Sequence, residues 1–180
     1  MMKKFVFAAA VVMLAMAFTV SAQKAPADYS GTWNLDVAKS SLGQQAAMIK
    51  SQTVTITQAG TSFKVSTQTE RNAPPEGAAG APGGGGGGRG PGGGGMGGGE
   101  QSYTLDGKEV STERQTQNGA ITTKTKAEQN GNKVVITSVF PTPNGDMKST
   151  TTYDLSADGK TLTVTRESTR GTSKSVYTKG

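Results

Sequence analysis

The chain has no cysteine and no histidine among its 180 residues. Without cysteine there are no disulfides, so stability rests on backbone pairing and a packed core. Anchoring through a lipidated cysteine is excluded as well. Without histidine the commonest general base and the commonest metal ligand are both missing. Neither Ser-His-Asp nor Cys-His catalysis is open to the chain. Carboxylate-only chemistry stays open on composition, but no acid pair points to it; Glu109 and Glu113 share a strand parity and suit a solvated face. No enzymatic activity, metal or cofactor is therefore expected. Charge is sparse too: 19 basic against 13 acidic residues give a net charge of +6, with no basic block. A weak attraction to anionic surfaces follows, and a nucleic-acid partner does not.

Only one long apolar run is present. It extends from Phe5 to Val20, follows Lys3 and Lys4, and ends at the small residues Ser21 and Ala22 before Gln23. That pattern predicts a cleaved secretory signal over residues 1–22. The run is short for a span of roughly 20 residues. Secretion or a periplasmic location is expected, with no stable membrane insertion after cleavage. Loss of Lys3 and Lys4 takes 19 basic residues to 17, and the net charge to +4.

Glycine, by contrast, is abundant and badly distributed for a core. Sixteen of the 26 glycines fall between Gly77 and Gly99. Such a stretch offers no side chains to pack and loses the most entropy on ordering. Residues 72–99 are expected to form a flexible insert within one domain spanning 23–180. The segment before it has about three strands, too few to stand alone. The glycine tract contains Gly-x-Gly-x-x-Gly many times, but a dinucleotide site needs that motif between a strand and a helix. Arg89 alone among the glycines does not make an RNA-binding segment. Asp154 to Gly159 resembles the start of a calcium loop; Thr165 stands where the bidentate glutamate should be, and a hairpin turn is expected instead.

From Ser30 onward the chain alternates with period two, as half-buried strands do. Trp33 and Leu35 share a face, Val54 and Ile56 another, then Phe63 and Val65. Residues 44–50 allow one short helix. After the glycines, alternating runs are punctuated by Asp106-Gly107, Asn118-Gly119, Asn130-Gly131 and Asp158-Gly159, strong hairpin signals because such pairs tolerate the positive φ that two-residue turns favour. The expected fold is all-β: an antiparallel up-and-down meander of about ten strands, closing into a barrel that removes exposed edges. Many inward positions are hydroxylic, among them Thr67, Thr112, Thr123, Thr125, Ser149 and Thr151. Two readings fit: a partly wet cavity, or an open sheet whose polar ends extend past a small core.

The residues Ser30-Gly31-Thr32-Trp33-Asn34-Leu35 resemble the Gly-x-Trp opening of the calycins, which include lipocalins and fatty-acid-binding proteins. The run Gly31 to Ser40 is similar to the opening of secreted bacterial lipocalin-like proteins. Gly171 to Tyr177 is similar to the last strand of fatty-acid-binding proteins. The resemblance implies a closed antiparallel barrel around a small apolar or amphiphilic ligand. It also implies that a basic residue from a late strand covers Trp33, with Arg166 the natural candidate. In fatty-acid-binding proteins an Arg-x-Tyr pair in the last strand grips the ligand carboxylate; here those positions read Ser175-Val176-Tyr177. Aromatic candidates for the lining are Trp33, Phe63, Tyr103, Tyr153 and Tyr177. Arg114 and Arg166 share parity with apolar neighbours and could anchor an anionic headgroup, or lay their stems over apolar surface at strand ends. The alternative function is a non-enzymatic envelope or interaction protein using the glycine-rich loop as its surface.

Overall fold

The computed structural model describes residues 26–72, 99–116, 119–142, 145–169 and 171–180. The expected signal at 1–22 lies outside the described residues, as do positions 73–98 of the glycine-rich insert.

The strands are β1 (Gly31–Leu35), β2 (Ile49–Ala59), β3 (Ser62–Arg71), β4 (Gly99–Thr104), β5 (Asp106–Thr116), β6 (Gly119–Asn130), β7 (Lys133–Thr142), β8 (Gly145–Leu155), β9 (Thr161–Ser168) and β10 (Gly171–Lys179). One 3-10 helix, Gly43–Met48, follows the first strand. All ten strands form one antiparallel sheet in the order β4-β3-β2-β1-β10-β9-β8-β7-β6-β5. Apart from the β1–β10 closure, the strands that pair are neighbours in sequence, and that closure curls the meander into a barrel. Trp33 faces Lys179 across the seam, and Leu35 faces Tyr177. Residues 36–42 continue the seam: Ser41 and Lys174 exchange backbone hydrogen bonds of 2.7 and 3.1 Å. The Val176 N–H donates to Ser40 Oγ at 2.8 Å.

The circle is broken between β4 and β5, which are sheet edges. Asp106-Gly107, expected to turn a hairpin there, does something else. The β5–β6 register shifts between Asp106 and Glu109, and Gly107 has φ +73°. The pair forms a β-bulge, in which a glycine in the left-handed region kinks one strand. The Lys108 N–H donates to Asp106 Oδ1 at 3.0 Å and holds the kink. The same dipeptide chemistry serves a turn or a bulge; here it bends β5 away from β4. Asp158-Gly159 does turn a hairpin, with Ser156 Oγ and the Lys160 N–H both donating to Asp158 Oδ1.

The strand directions give the barrel two unlike ends. At one end lie the β2–β3, β6–β7 and β8–β9 turns. The lead-in, residues 26–30, crosses this end and closes it. The Ala27 N–H donates to the Gly131 carbonyl at 3.2 Å, and Gln129 Nε2 donates to the Ala27 carbonyl at 2.7 Å. Gln58 is shared: its Oε1 accepts from the Tyr29 N–H at 3.1 Å, and its Nε2 donates to Gln129 at 2.8 Å. The core sits behind this strap. Tyr29, Trp33, Phe63, Ile56, Leu162 and Val134 are the largest fully buried side chains, the aliphatic ones and Phe63 each contributing about 1.5–3 kcal/mol of burial. Phe63 meets Tyr29 edge-on at 5.7 Å and Tyr153 at 5.4 Å.

The other end carries the 3-10 helix and the β5–β6, β7–β8 and β9–β10 connections. Its inward positions include half-buried hydroxyls, among them Thr125, Ser138, Ser149 and Ser173, with the half-buried pair Phe140 and Met147 nearest the rim. Among the described residues, no buried side-chain nitrogen or oxygen lacks a hydrogen-bond partner. The interior is thus divided, apolar and packed at the closed end, polar and solvent-accessible towards the open end. The outer face carries exposed ion pairs such as Lys124–Glu109 at 3.3 Å, each worth about 0–1 kcal/mol.

Candidate functional site

The boundary between the two halves of the interior is made by tyrosines. Tyr153 on β8, Tyr177 on β10 and Tyr103 on β4 all sit at inward parity. Tyr153 and Tyr177 are buried, and Tyr103 is half-buried and packed against the core. The three are far apart in sequence. Pairing brings them together: Tyr153 faces Val164, Tyr177 faces Leu162, and Tyr103 faces Phe63. Their hydroxyls need partners because a buried phenol without one costs about 1–3 kcal/mol. Tyr177 donates to Gln52 Oε1 at 2.7 Å, and Gln52 Nε2 donates on to Thr69 at 2.8 Å. Tyr103 donates to Gln101 at 2.5 Å.

Arg166 lies one layer towards the open end. It is set between Thr151 on β8 and Ser173 on β10. It has the parity of Leu162 and Val164 and is half-buried. Burial pushes all three phenols above their ordinary range. The Arg166 charge opposes that rise at each of them: second to burial at Tyr103, behind the Tyr103 phenol at Tyr153, and behind the Ser175 hydroxyl at Tyr177. One guanidinium therefore acts on three neutral phenols. The result is a cationic, hydrogen-bonding floor, with the packed core beneath it and the hydroxyl-lined half above.

Of the seven residues singled out from sequence, Tyr103, Tyr153, Tyr177 and Arg166 are brought together. Phe63 and Trp33 are fully buried in the packed end. Trp33 Nε1 donates to the Tyr29 carbonyl at 3.0 Å. Arg114 is exposed on β5 opposite Ile121 and is not among the groups acting on the phenols. Inward parity does not bury it, because β5 is an edge beside the break. The cation over Trp33 is Lys179, with Nζ 5.4 Å from the ring, rather than Arg166. The register places Lys179 directly opposite Trp33 and turns Arg166 towards the tyrosines.

Three contributors were missed. Gln52 shares parity with Val54 and Ile56, and alternation alone could have placed it inside. Tyr29 precedes the regular pattern; its only signal is its spacing of four from Trp33. Lys179 ends β10, where parity with Tyr177 was readable. Among the described residues, no group of three or more His, Cys, Asp or Glu side chains is placed to hold a metal ion.

No family model and no curated protein sequence matches the chain. Solved structures do. Human cRBP IV aligns with a TM-score of 0.51 at 16% identity, covering 86% of this chain and 100% of that one. The apo form of lipid binding protein 8 from Caenorhabditis elegans aligns with a TM-score of 0.52 at 12% identity, covering 84% and 95%. At such identity the likeness is one of fold. The calycin-type barrel implied by the opening residues is the fold of the chain.

Proposed function

We propose that this chain is a secreted or periplasmic carrier that binds a small amphiphilic molecule inside its barrel, with an anionic group of the ligand at Arg166. The convergence of Arg166 with Tyr103, Tyr153 and Tyr177 carries this reading. A guanidinium offers paired donors matched to a carboxylate, and aromatic faces take the apolar part of a ligand while their hydroxyls take a polar one. The location rests on the signal-like pattern of residues 1–22.

Native mass spectrometry across a panel of small acids tests the proposal. The panel includes long-chain, aromatic and sugar-derived acids, each beside its neutral counterpart. At least one acid is expected to form an adduct that its neutral counterpart does not form. Arg166→Met, which keeps the stem and removes the charge, is expected to abolish that preference. Absence of any adduct across the panel sinks the proposal.

A further inference from the structure

The layer of the interior next above Arg166 is hydroxylic, and the layer beyond it carries the half-buried pair Phe140 and Met147 at the same inward parity. Three successive pairings put Thr125 of β6 opposite Ser138 of β7, Ser138 opposite Ser149 of β8, and Ser149 opposite Ser168 of β9. These four residues make one belt across four neighbouring strands, about 4.8 Å apart from strand to strand. All four are half-buried. Thr125 and Ser138 hydroxyls lie 3.3 Å from each other, and Ser168 Oγ donates to the Gly171 carbonyl at 3.3 Å, leaving its lone pairs to accept. The next layer towards the closed end holds Arg166 opposite Thr151. The β8 and β9 members of the belt thus stand one layer beyond Thr151 and Arg166, on the side away from the packed core.

A hydroxyl exposed to water loses that partner when a ligand covers it. An alkyl chain returns no hydrogen bond, so each hydroxyl it covers weakens binding by roughly tenfold. A ligand bearing its own hydroxyls replaces the lost water, each of its O–H groups both donating and accepting. A row of hydroxyls at strand spacing, ending at a cation and the rings of buried tyrosines, matches a sugar acid. Such a molecule has a carboxylate at one end, hydroxyls around its edge, and a C–H face that an aromatic ring can cover.

We infer that the ligand is a polyhydroxylated acid of the sugar-acid class, bound with its carboxylate at Arg166 and its hydroxyls along the Thr125–Ser138–Ser149–Ser168 belt. This inference rests on the anion-binding reading above and narrows it. Calorimetry with the purified chain separates the two, using glucuronate, glucose and laurate as probes. Glucuronate is expected to bind at least tenfold more tightly than glucose, and more tightly than laurate. Arg166→Met removes the advantage over glucose. The double variant Ser138→Ala, Ser149→Ala weakens glucuronate roughly tenfold or more and leaves laurate unchanged or improved. Circular dichroism of each variant verifies its fold, and Ser149→Ala alone serves if the double variant is unfolded. Laurate binding without glucuronate binding overturns the sugar-acid assignment while leaving an anion carrier standing. Binding of none of the probes overturns the assignment, and an empty acid panel overturns both. A double variant that binds glucuronate as the parent does also overturns the role of the belt.

Discussion

Replacing Tyr29 by alanine should cost the protein a large share of its stability, although this residue precedes the first strand. Its side chain is fully buried, its ring meets Phe63 at 5.7 Å, and its hydroxyl donates to the Tyr153 carbonyl at 3.3 Å. A buried tyrosine removes about 150–250 Å² from water. At about 25 cal/mol per Å² this is about 4–6 kcal/mol, and compactness of the unfolded chain lowers it to about 3–5 kcal/mol. Large-to-small aromatic substitutions in cores cost about the same. Small proteins are stable by about 5–15 kcal/mol, so Tyr29→Ala should lie close to unfolding at ambient temperature. Tyr29→Phe keeps the ring and loses one long hydrogen bond, for about 0.5–1 kcal/mol. Urea denaturation followed by Trp33 emission reads both, because the Tyr29 carbonyl accepts the Trp33 ring N–H. The alanine variant should lower the midpoint several-fold more than the phenylalanine variant, at similar slope. An alanine midpoint equal to the parent's would show that the lead-in does not belong to the folded core.

Alkali should unfold the protein from about pH 10 upward. The Tyr29, Tyr103, Tyr153 and Tyr177 phenols are held above their ordinary range, chiefly by burial. The unfolded chain ionises at about pH 10 while the folded chain keeps its protons, so stability is full below that pH and falls above it. Ultraviolet titration should show phenolate appearing together with loss of sheet; reversible ionisation of all the tyrosines in an intact sheet would contradict the burial. Gln52→Leu and Tyr177→Phe should each cost about 1–3 kcal/mol, and the double variant less than their sum, since both break one 2.7 Å hydrogen bond; strict additivity in a denaturation cycle would remove that bond from the account. Lys179→Ala should shift Trp33 emission and cost about 0.5–1 kcal/mol, whereas Arg166→Ala should leave the emission unmoved. The reverse pattern would put the arginine back over the indole. Gly107→Ala should destabilise by about 1–2 kcal/mol through its φ of +73°, read as loss of midpoint with amide shifts confined to 106–109.

The strands were legible because alternation and turn chemistry are local. Val54 and Ile56, or Leu162 and Val164, announce their face within five residues. What was not legible depends on two strands at once. Asp106-Gly107 carries the same local preference in a hairpin and in a bulge, and only the absence of β4–β5 pairing decides between them. Arg114 and Arg166 look alike in sequence; one lies on an edge strand beside the break and the other between two paired strands. Whether a basic side chain covers Trp33 depends on the β1–β10 register, which no local pattern fixes. The hydroxylic inner face was visible as parity, yet its confinement to one end follows from where Tyr29 and the lead-in close the other. Tyr29 itself escaped because a residue outside any alternating run gives no sign of its burial.

The seam at which Trp33 meets Lys179 also has a consequence for how the barrel comes into being. The two ends of the described chain seal it, and Gly180 still donates its N–H to the Thr32 carbonyl at 2.8 Å. Every other strand pairing joins neighbours in sequence, and most of these hairpins can form early over short turns, although β3 and β4 pair across residues 72–98. The last closure spans nearly the whole chain and bears the largest entropy of loop formation. A chain emerging amino end first must therefore keep β1 without its β10 partner until residues 171–179 are free. During that interval the Gly-Thr-Trp strand is an open edge, and a chaperone that shields such edges would act there.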